Sequence, residues 1–290
     1  MMTIDVVTPM VDDPRLFGAI SAANALSDVY AMGGKPEVAL SFIGFPTGEL
    51  PLSALSEIIA GMREVCDEAG CAIVGGHTVV DAEPKAGLAV TGTVDGARVW
   101  SHRAGRAGQA LVLSKALGTG ISVAAMKRGD AQPELAEAAS GSMRRTNREA
   151  CEAGLALGVT AATDVTGFGL LGHLKNLCEA SGVTAELWMR AIPLIPGVRE
   201  LAERGLVPGG SKKNLAYVEP VVRFHRALSE ADRLLLADAQ TSGGLLMALD
   251  PDRADELVAK LRGSGHDAAT VGRLVERPAD DVTATILVDP

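Results

Sequence analysis

The sequence is poor in aromatic residues, which fill only 3% of its 290 positions. Stacking platforms for single-stranded nucleic acid are built from such rings, so their scarcity argues against that class of partner. Positive charge is also in short supply: 27 Lys and Arg stand against 36 Asp and Glu, a formal charge of −9. That balance disfavours a phosphodiester backbone or an anionic membrane as the main partner. A nucleotide remains admissible, because a metal ion can supply positive charge locally. Four cysteines (Cys66, Cys71, Cys151, Cys178) form no C-x-x-C pair and no zinc spacing with histidine. They read as unpaired thiols in a reducing compartment. No apolar run reaches the ~18 residues of a membrane span, and the N-terminus does not have the pattern of a signal peptide. The expected setting is soluble and cytoplasmic, with neither nucleic acid nor membrane as partner. The Walker pattern G-x-x-x-x-G-K-[ST] is missing as well.

What the chain does have is glycine, 33 residues of it, set beside polar side chains where apolar runs end. The richest such stretch is Thr163-Asp164-Val165-Thr166-Gly167-Phe168-Gly169-Leu170-Leu171-Gly172-His173. It follows the apolar run Val159 to Ala162 and leads into helical sequence, Leu170 to Ala180. Gly167, Gly169 and Gly172 spell the dinucleotide fingerprint G-x-G-x-x-G, but that motif needs a strand running directly into its first glycine. Here polar residues intervene, including an acid that would repel a pyrophosphate unless a cation were bound. An aspartate beside glycine amides and a helix start suits a phosphate carried with Mg²⁺. It equally suits a simple helix cap at Asp164.

Strands and helices alternate through the first hundred residues. The pattern predicts a strand over 3–8, a helix from Arg15 to Met32 ended by Gly33-Gly34-Lys35-Pro36, and a strand over 37–44. A helix from Leu50 to Ala69, a strand from Cys71 to Val74 and another from Leu88 to Val94 follow. Asn24 and Asp28 stand one helical turn apart on a face of small and apolar residues, where a carboxylate costs free energy unless something compensates. Asp5 is a third polar group in an apolar setting. For Asp28 a solvated helix face is the alternative to a ligand role. Gly75-Gly76-His77-Thr78 reads as a glycine turn at a strand end, either a phosphate cradle or a connection capped by His77.

Val99 to Gln109 is polar and basic and is expected to link two domains, 1–98 and 99–290. Beyond it the pattern predicts a strand from Ala110 to Ser114, a Gly118-x-Gly120 turn, and helices over 121–128, 133–139 and 142–157. Strand 183–188, helix 198–204, a loop from Val207 to Asn214 and a helix from Ser229 to Asp238 come next. Strand Leu245 to Leu249, helix 251–262 and strands 268–275 and 282–288 complete the chain.

Laid side by side, these loops resemble those of the selenophosphate synthetases, the selenide, water dikinases. Five blocks carry the likeness: Thr8 to Pro14 (TPMVDDP), Asn24 to Pro36 (NALSDVYAMGGKP), Gly75 to Thr78 (GGHT), Thr163 to His173, and Gln240 to Leu246 (QTSGGLL). Val207-Pro-Gly-Gly210 with Asn214 is a looser sixth. Wider relatives of that fold include aminoimidazole ribonucleotide synthetase and thiamine-monophosphate kinase. The resemblance implies an α/β protein of two domains: an N-terminal sheet domain that pairs with a second subunit's, and a C-terminal α/β sandwich, with ATP between them. It implies that Asp28 and Asp164 hold Mg²⁺, that Asp28 and Asp5 touch ATP, and that Gly76, His77 and Thr78 reach the nucleotide of the partner in a homodimer. Asn24 joins the nucleotide site by its helical spacing from Asp28. The expected substrates are ATP and selenide, and the expected products selenophosphate, AMP and phosphate. Another ATP-dependent phosphotransferase of the same fold, acting on a small metabolite, is the alternative within enzymes. A nucleotide-binding dimer without turnover is the alternative outside them.

The family's reactive Cys or selenocysteine and its nearby Lys precede the strand that here begins at Thr3. No catalytic residue is therefore assigned within this chain, whose first domain is expected to be incomplete at its start and its activity as written uncertain. One expectation is a reading frame that extends upstream through a selenocysteine codon, with Met1 or Met2 as an internal restart; a trimmed chain or a degenerate paralogue is the alternative.

Overall fold

The computed structural model describes residues 1–279 and 283–290. Two sheets organise the chain. The first has four strands in the order β1-β4-β2-β3: β1 (Met2–Val7), β2 (Lys35–Phe45), β3 (Ala72–Val80) and β4 (Lys85–Thr93). Helices α1 (Pro14–Ala31) and α2 (Leu52–Ala69) pack on one face of it. Asp13 caps α1 by accepting from the Leu16 amide at 2.8 Å, and Pro14 fills the first position, where a missing N–H costs nothing. Gly70 closes α2 in the left-handed conformation that glycine adopts without penalty.

Register fixes what each face of this sheet presents. Thr3, Asp5 and Val7 pair with Val90, Leu88 and Ala86, the buried row of β4. Ile4, Ala89, Leu40 and Gly75 form the opposite row. That outer face carries no helix, and Ile4, Leu40 and Val74 are 68%, 50% and 63% exposed.

The second sheet has seven strands in the order β6-β9-β5-β10-β7-β11-β8. These are β5 (Ala110–Leu113), β6 (Ala161–Asp164), β7 (Thr184–Trp188), β8 (Val222–Phe224), β9 (Leu245–Leu249), β10 (Ala269–Val275) and β11 (Ile286–Asp289). Among the described residues eight α-helices accompany it: α3 (Thr119–Arg128), α4 (Pro133–Arg144), α5 (Arg148–Ala156), α6 (Gly169–Ser181), α7 (Val198–Glu203), α8 (Gly209–Val218), α9 (Glu230–Leu236) and α10 (Pro251–Gly263). The mixed α/β architecture agrees with the expected fold class. Among the described residues no helix is long and apolar enough to cross a membrane. All four cysteines are buried.

Several expectations need correction. Gly75 to Thr78 is no turn but the middle of β3, paired in parallel with Leu40 to Ile43. Glycine is required there for closeness: a Cβ on Gly76 would lie 2.2 Å from Ser41 Oγ and 2.3 Å from Ser41 O. The loop expected over Val207 to Asn214 is mostly helix α8. The helix expected over 142–157 breaks at Arg145 to Asn147, because the Asn147 side chain bonds Ser27 Oγ and Gly243 O, both at 2.9 Å. The three-residue β8 was missed. The strand expected over 282–288 starts at a position outside the described residues; within them the strand is β11, Ile286–Asp289.

Candidate functional site

The site gathers where α1 meets the loops at one end of the second sheet. On α1, residues 24, 27 and 28 share a face, as the 3.6-residue period requires. Asn24 Nδ2 donates to Asp5 Oδ2, and Thr3 Oγ1 donates to Asp28 Oδ2, so β1 anchors both positions. Ser27 Oγ donates to Asp164 Oδ2 at 2.9 Å, and the Ser242 amide donates to Asn24 Oδ1 at 2.8 Å. One helix face thus ties the first sheet to β6 and to the Gln240–Gly244 loop.

Asp164 ends β6 and is buried. Helix α6 starts only at Gly169, its N-cap position is Phe168, and no side chain caps it. Asp164 is therefore not the cap that the sequence left open as an alternative. Burial, then the charge of Asp28, and also that of Asp5, push its carboxyl up to about 6 despite the Ser27 bond. Burial and Asp28 raise Asp5 likewise, against the opposing bond from Asn24. The side-chain partners of the three acids are neutral residues, Asn24, Thr3 and Ser27. They form a concentration of negative charge that the protein does not balance by direct pairing. Among the described residues no three His, Cys, Asp or Glu side chains converge closely enough to enclose a metal unaided.

Asp5 and Asn24, but neither Asp28 nor Asp164, line a cavity of ≈ 560 Å³ together with Gly120, Thr166, Gly167, Gln240 and Thr241. This is the size of a small-molecule site. The turn from β6 into α6 is shaped by Gly169, at φ +68°, where an added Cβ would stand 2.6 Å from Ala237 O. His173 Nε2 accepts the Thr166 amide at 3.1 Å and so holds the loop from the helix side. Of the three glycines in the G-x-G-x-x-G spelling, then, Gly169 serves a close turn.

Gln240 acts as a clamp. Its Oε1 accepts from the amides of Gly118 and Thr119 at 3.0 and 3.1 Å, while Nε2 donates to Asp238 Oδ2 at 3.0 Å. Asp238, wholly buried, also accepts from Ser211 Oγ at 2.7 Å and the Ile121 amide at 3.2 Å. The start of α3 and the start of α8 are thereby fixed to the cavity wall. The sequence did not single out Ser27, Asn147, Gln240 or Lys127, a cation on the cavity lining. Ser27 and Gln240 did have a signal: Ser27 stands on the Asn24–Asp28 face, and both lie within blocks that carry the family likeness.

Gly76, His77 and Thr78 do not join this group. They lie on edge strand β3, while Asp5 is on the opposite edge strand, β1. Three inter-strand spacings separate them, about 14 Å.

Comparison with known proteins follows this geometry. The family model described as AIR synthase related protein, N-terminal domain, matches residues 1–94, and its C-terminal counterpart matches 106–285. The curated selenide, water dikinase of Myxococcus xanthus is 48% identical over 283 residues, 97% of this chain and 80% of that protein. The chain belongs to the selenide, water dikinase family. A second dikinase, from Carboxydothermus hydrogenoformans, is 45% identical over 94% of this chain and 79% of its own. Solved structures share the dikinase chain's fold at lower identity. Thiamine-monophosphate kinase from Stenotrophomonas maltophilia has a TM-score of 0.74 at 18% identity, covering 100% of this chain and 84% of that one. Hydrogenase maturation protein HypE in complex with ATP has a TM-score of 0.71 at 19% identity, covering 95% and 77%.

Proposed function

We propose that the protein makes selenophosphate from selenide, ATP and water, releasing AMP and phosphate in the cytoplasm. The observation that carries the reading is the cluster of Asp5, Asp28 and Asp164 where α1 meets the second sheet, with Asp5 also on the wall of the neighbouring cavity, in a chain of this family. Mg²⁺ fits the residues present. Hard carboxylate oxygens at Asp28 and Asp164 are its preferred donors, and it commonly takes only one or two carboxylates, completing its shell with water and substrate phosphates. Three acids without a direct cationic partner suit such an ion. When bound, Mg²⁺ would neutralise phosphate charge and polarise the phosphoryl group for in-line attack.

The chain's own residues then have distinct tasks. Asp28 and Asp164 hold metal, and Asp5 with Asn24 fixes the nucleotide side of the cavity. Thr3 and Ser27 orient the two metal-binding carboxylates through hydrogen bonds, the usual way in which ligand geometry is set. The glycine-shaped loop at Thr166–Gly169 lets backbone come close to the phosphates. Residues 1–98 would bring ATP-binding and pairing surfaces, and residues 99–290 the opposing wall. Incubating the intact gene product with ATP, Mg²⁺ and selenide should yield AMP, orthophosphate and selenophosphate by ³¹P NMR. Accumulation of ADP without AMP would replace this reading with a simple phosphotransferase of the same fold.

The same reading includes a homodimer. A bare apolar sheet face with Ile4, Leu40 and Val74 exposed suits a second copy, since monomers rarely leave so continuous a patch open. Pairing through that sheet would also give Gly76, His77 and Thr78 a partner's nucleotide to reach. Leu40→Asp combined with Ile4→Asp should halve the mass measured by light scattering. A mass unchanged from wild type would place the subunit contact elsewhere.

A further inference from the structure

The geometry points to a second ligand site: the cavity between Lys115 and Arg145 takes a free tetrahedral oxyanion of the size of orthophosphate. This cavity, ≈ 240 Å³, shares no lining residue with the acidic one. Lys115 lies two residues beyond the end of β5 and is only 3% exposed. Its Nζ donates to the carbonyl oxygens of Arg145 and Ser242. An ammonium has three donors, so one is left over, and no carboxylate pairs with it among the described residues. Asp164 acts on this ammonium only across space, and a buried charge without a direct ionic partner is costly.

Arg145 repeats the pattern. Its neighbours Arg144 and Arg148 are paired with Glu68 and Glu152, both at 2.8 Å. Arg145 instead donates Nη1 to Ser264 O at 2.9 Å, and no carboxylate lies within ion-pair distance among the described residues. His266, whose side chain is fully buried, also lines the cavity. Its Nε2 lies 3.0 Å from Glu149 Oε2, while Nδ1 is buried without a partner. In its doubly protonated form this ring would donate from Nδ1 to an anion and keep Glu149 on the other side. Asp267 is the one acid on the lining, and it is exposed. Two unpaired cations against one carboxylate leave the cavity positive.

The titration behaviour agrees. Burial, and then Arg145, lowers Lys115 to about 7 against the opposing charge of Asp164. Burial lowers His266 too, with Arg145 and Lys115 adding to it against the Glu149 bond. Like charges that depress one another in this way would be relieved by a shared anion. The volume of ≈ 240 Å³ leaves ample room for one hydrated anion. It falls below the roughly 300–1,000 Å³ of sites for larger ligands, which suits a small hydrated anion. The site stands on these residues alone and does not depend on the reaction proposed above.

The test is calorimetric titration of metal-free, nucleotide-free protein with sodium phosphate and, separately, sodium sulfate at constant ionic strength. It is paired with the ¹⁵N signals of the His266 ring. One anion per chain should bind, shift the Nδ1 signal, and bind at least tenfold more weakly to Arg145→Gln, whose partly exposed position tolerates the change. Lys115→Met should lose binding outright. Should that variant not fold, the Arg145→Gln affinity and the histidine signal decide. Saturating Mg²⁺ and a non-hydrolysable ATP analogue should leave the phosphate in place. Displacement of phosphate by the analogue, or equal affinity in Arg145→Gln with an unmoved His266 signal, would overturn the proposal.

Discussion

Replacing Asp164 with alanine is expected to abolish Mg²⁺-dependent ATP binding while leaving the metal-free fold no less stable. The two halves of this expectation have one cause. Asp164 is a buried carboxylate with the Ser27 hydroxyl as its hydrogen-bonding side chain, and burial and Asp28 already disfavour its charged form. In the absence of metal it costs free energy, so deleting it removes a penalty and one hydrogen bond worth about 1 kcal/mol. With metal present it is half of the proposed donor set. Loss of even an outer partner of a metal ligand typically costs roughly 10–100-fold in affinity, and loss of the ligand itself should exceed that. Calorimetry with Mg²⁺ and an ATP analogue reads the first effect, and thermal melting in EDTA reads the second. A melting temperature that falls in EDTA with nucleotide affinity unchanged would make Asp164 structural.

Gly18→Ala and Gly61→Ala should each destabilise the protein, against the usual sign for a helix. Alanine in a helix interior is normally favoured over glycine by about 1 kcal/mol. Here α1 and α2 cross so closely that a Cβ on Gly18 would stand 2.0 Å from Ile58 O, and one on Gly61 1.9 Å from Arg15 O. Backbone cannot yield as a side-chain end can, so the helices must part. Overpacking of this kind costs about 1–3 kcal/mol, enough to reverse the propensity gain. Gly141 in α4 is the contrast, since nothing lies within 4 Å of its added Cβ. Gly141→Ala should be neutral or stabilising in the same melting experiment. Because α1 also carries Asn24, Ser27 and Asp28, displacing it should weaken nucleotide binding along with stability. Three melting temperatures that all rise would refute the close-crossing explanation.

The parts legible in the sequence were those written in local spacing. Asn24 and Asp28 one turn apart, glycine and proline after α1, and an acid before a glycine-rich helix start all follow from short-range rules. Pairing over long distances was not legible. Glycines at 75 and 76 read as a turn because glycine usually interrupts strands, yet here its lack of a side chain admits Ser41 alongside. Pro208-Gly209-Gly210 read as loop, but α8 starts there, held by Ser211 to Asp238 and by Asn214 to Gly167 O at 2.8 Å. The break at Arg145–Asn147 depends on Ser27 and Gly243, each about a hundred residues away along the chain. Lys115 gave no sequence signal, because a lysine after a strand is ordinarily solvated. Only the fold buries it.

The most direct measurement is a crystal structure of the protein with Mg²⁺ and a non-hydrolysable ATP analogue. The triphosphate should occupy the cavity lined by Asp5, Asn24, Thr166 and Thr241, with metal on the carboxylates of Asp28 and Asp164 at about 2.0–2.1 Å. A nucleotide bound elsewhere, or one bound here with both carboxylates free of metal, would contradict the assignment of this acidic cavity as the phosphoryl-transfer site.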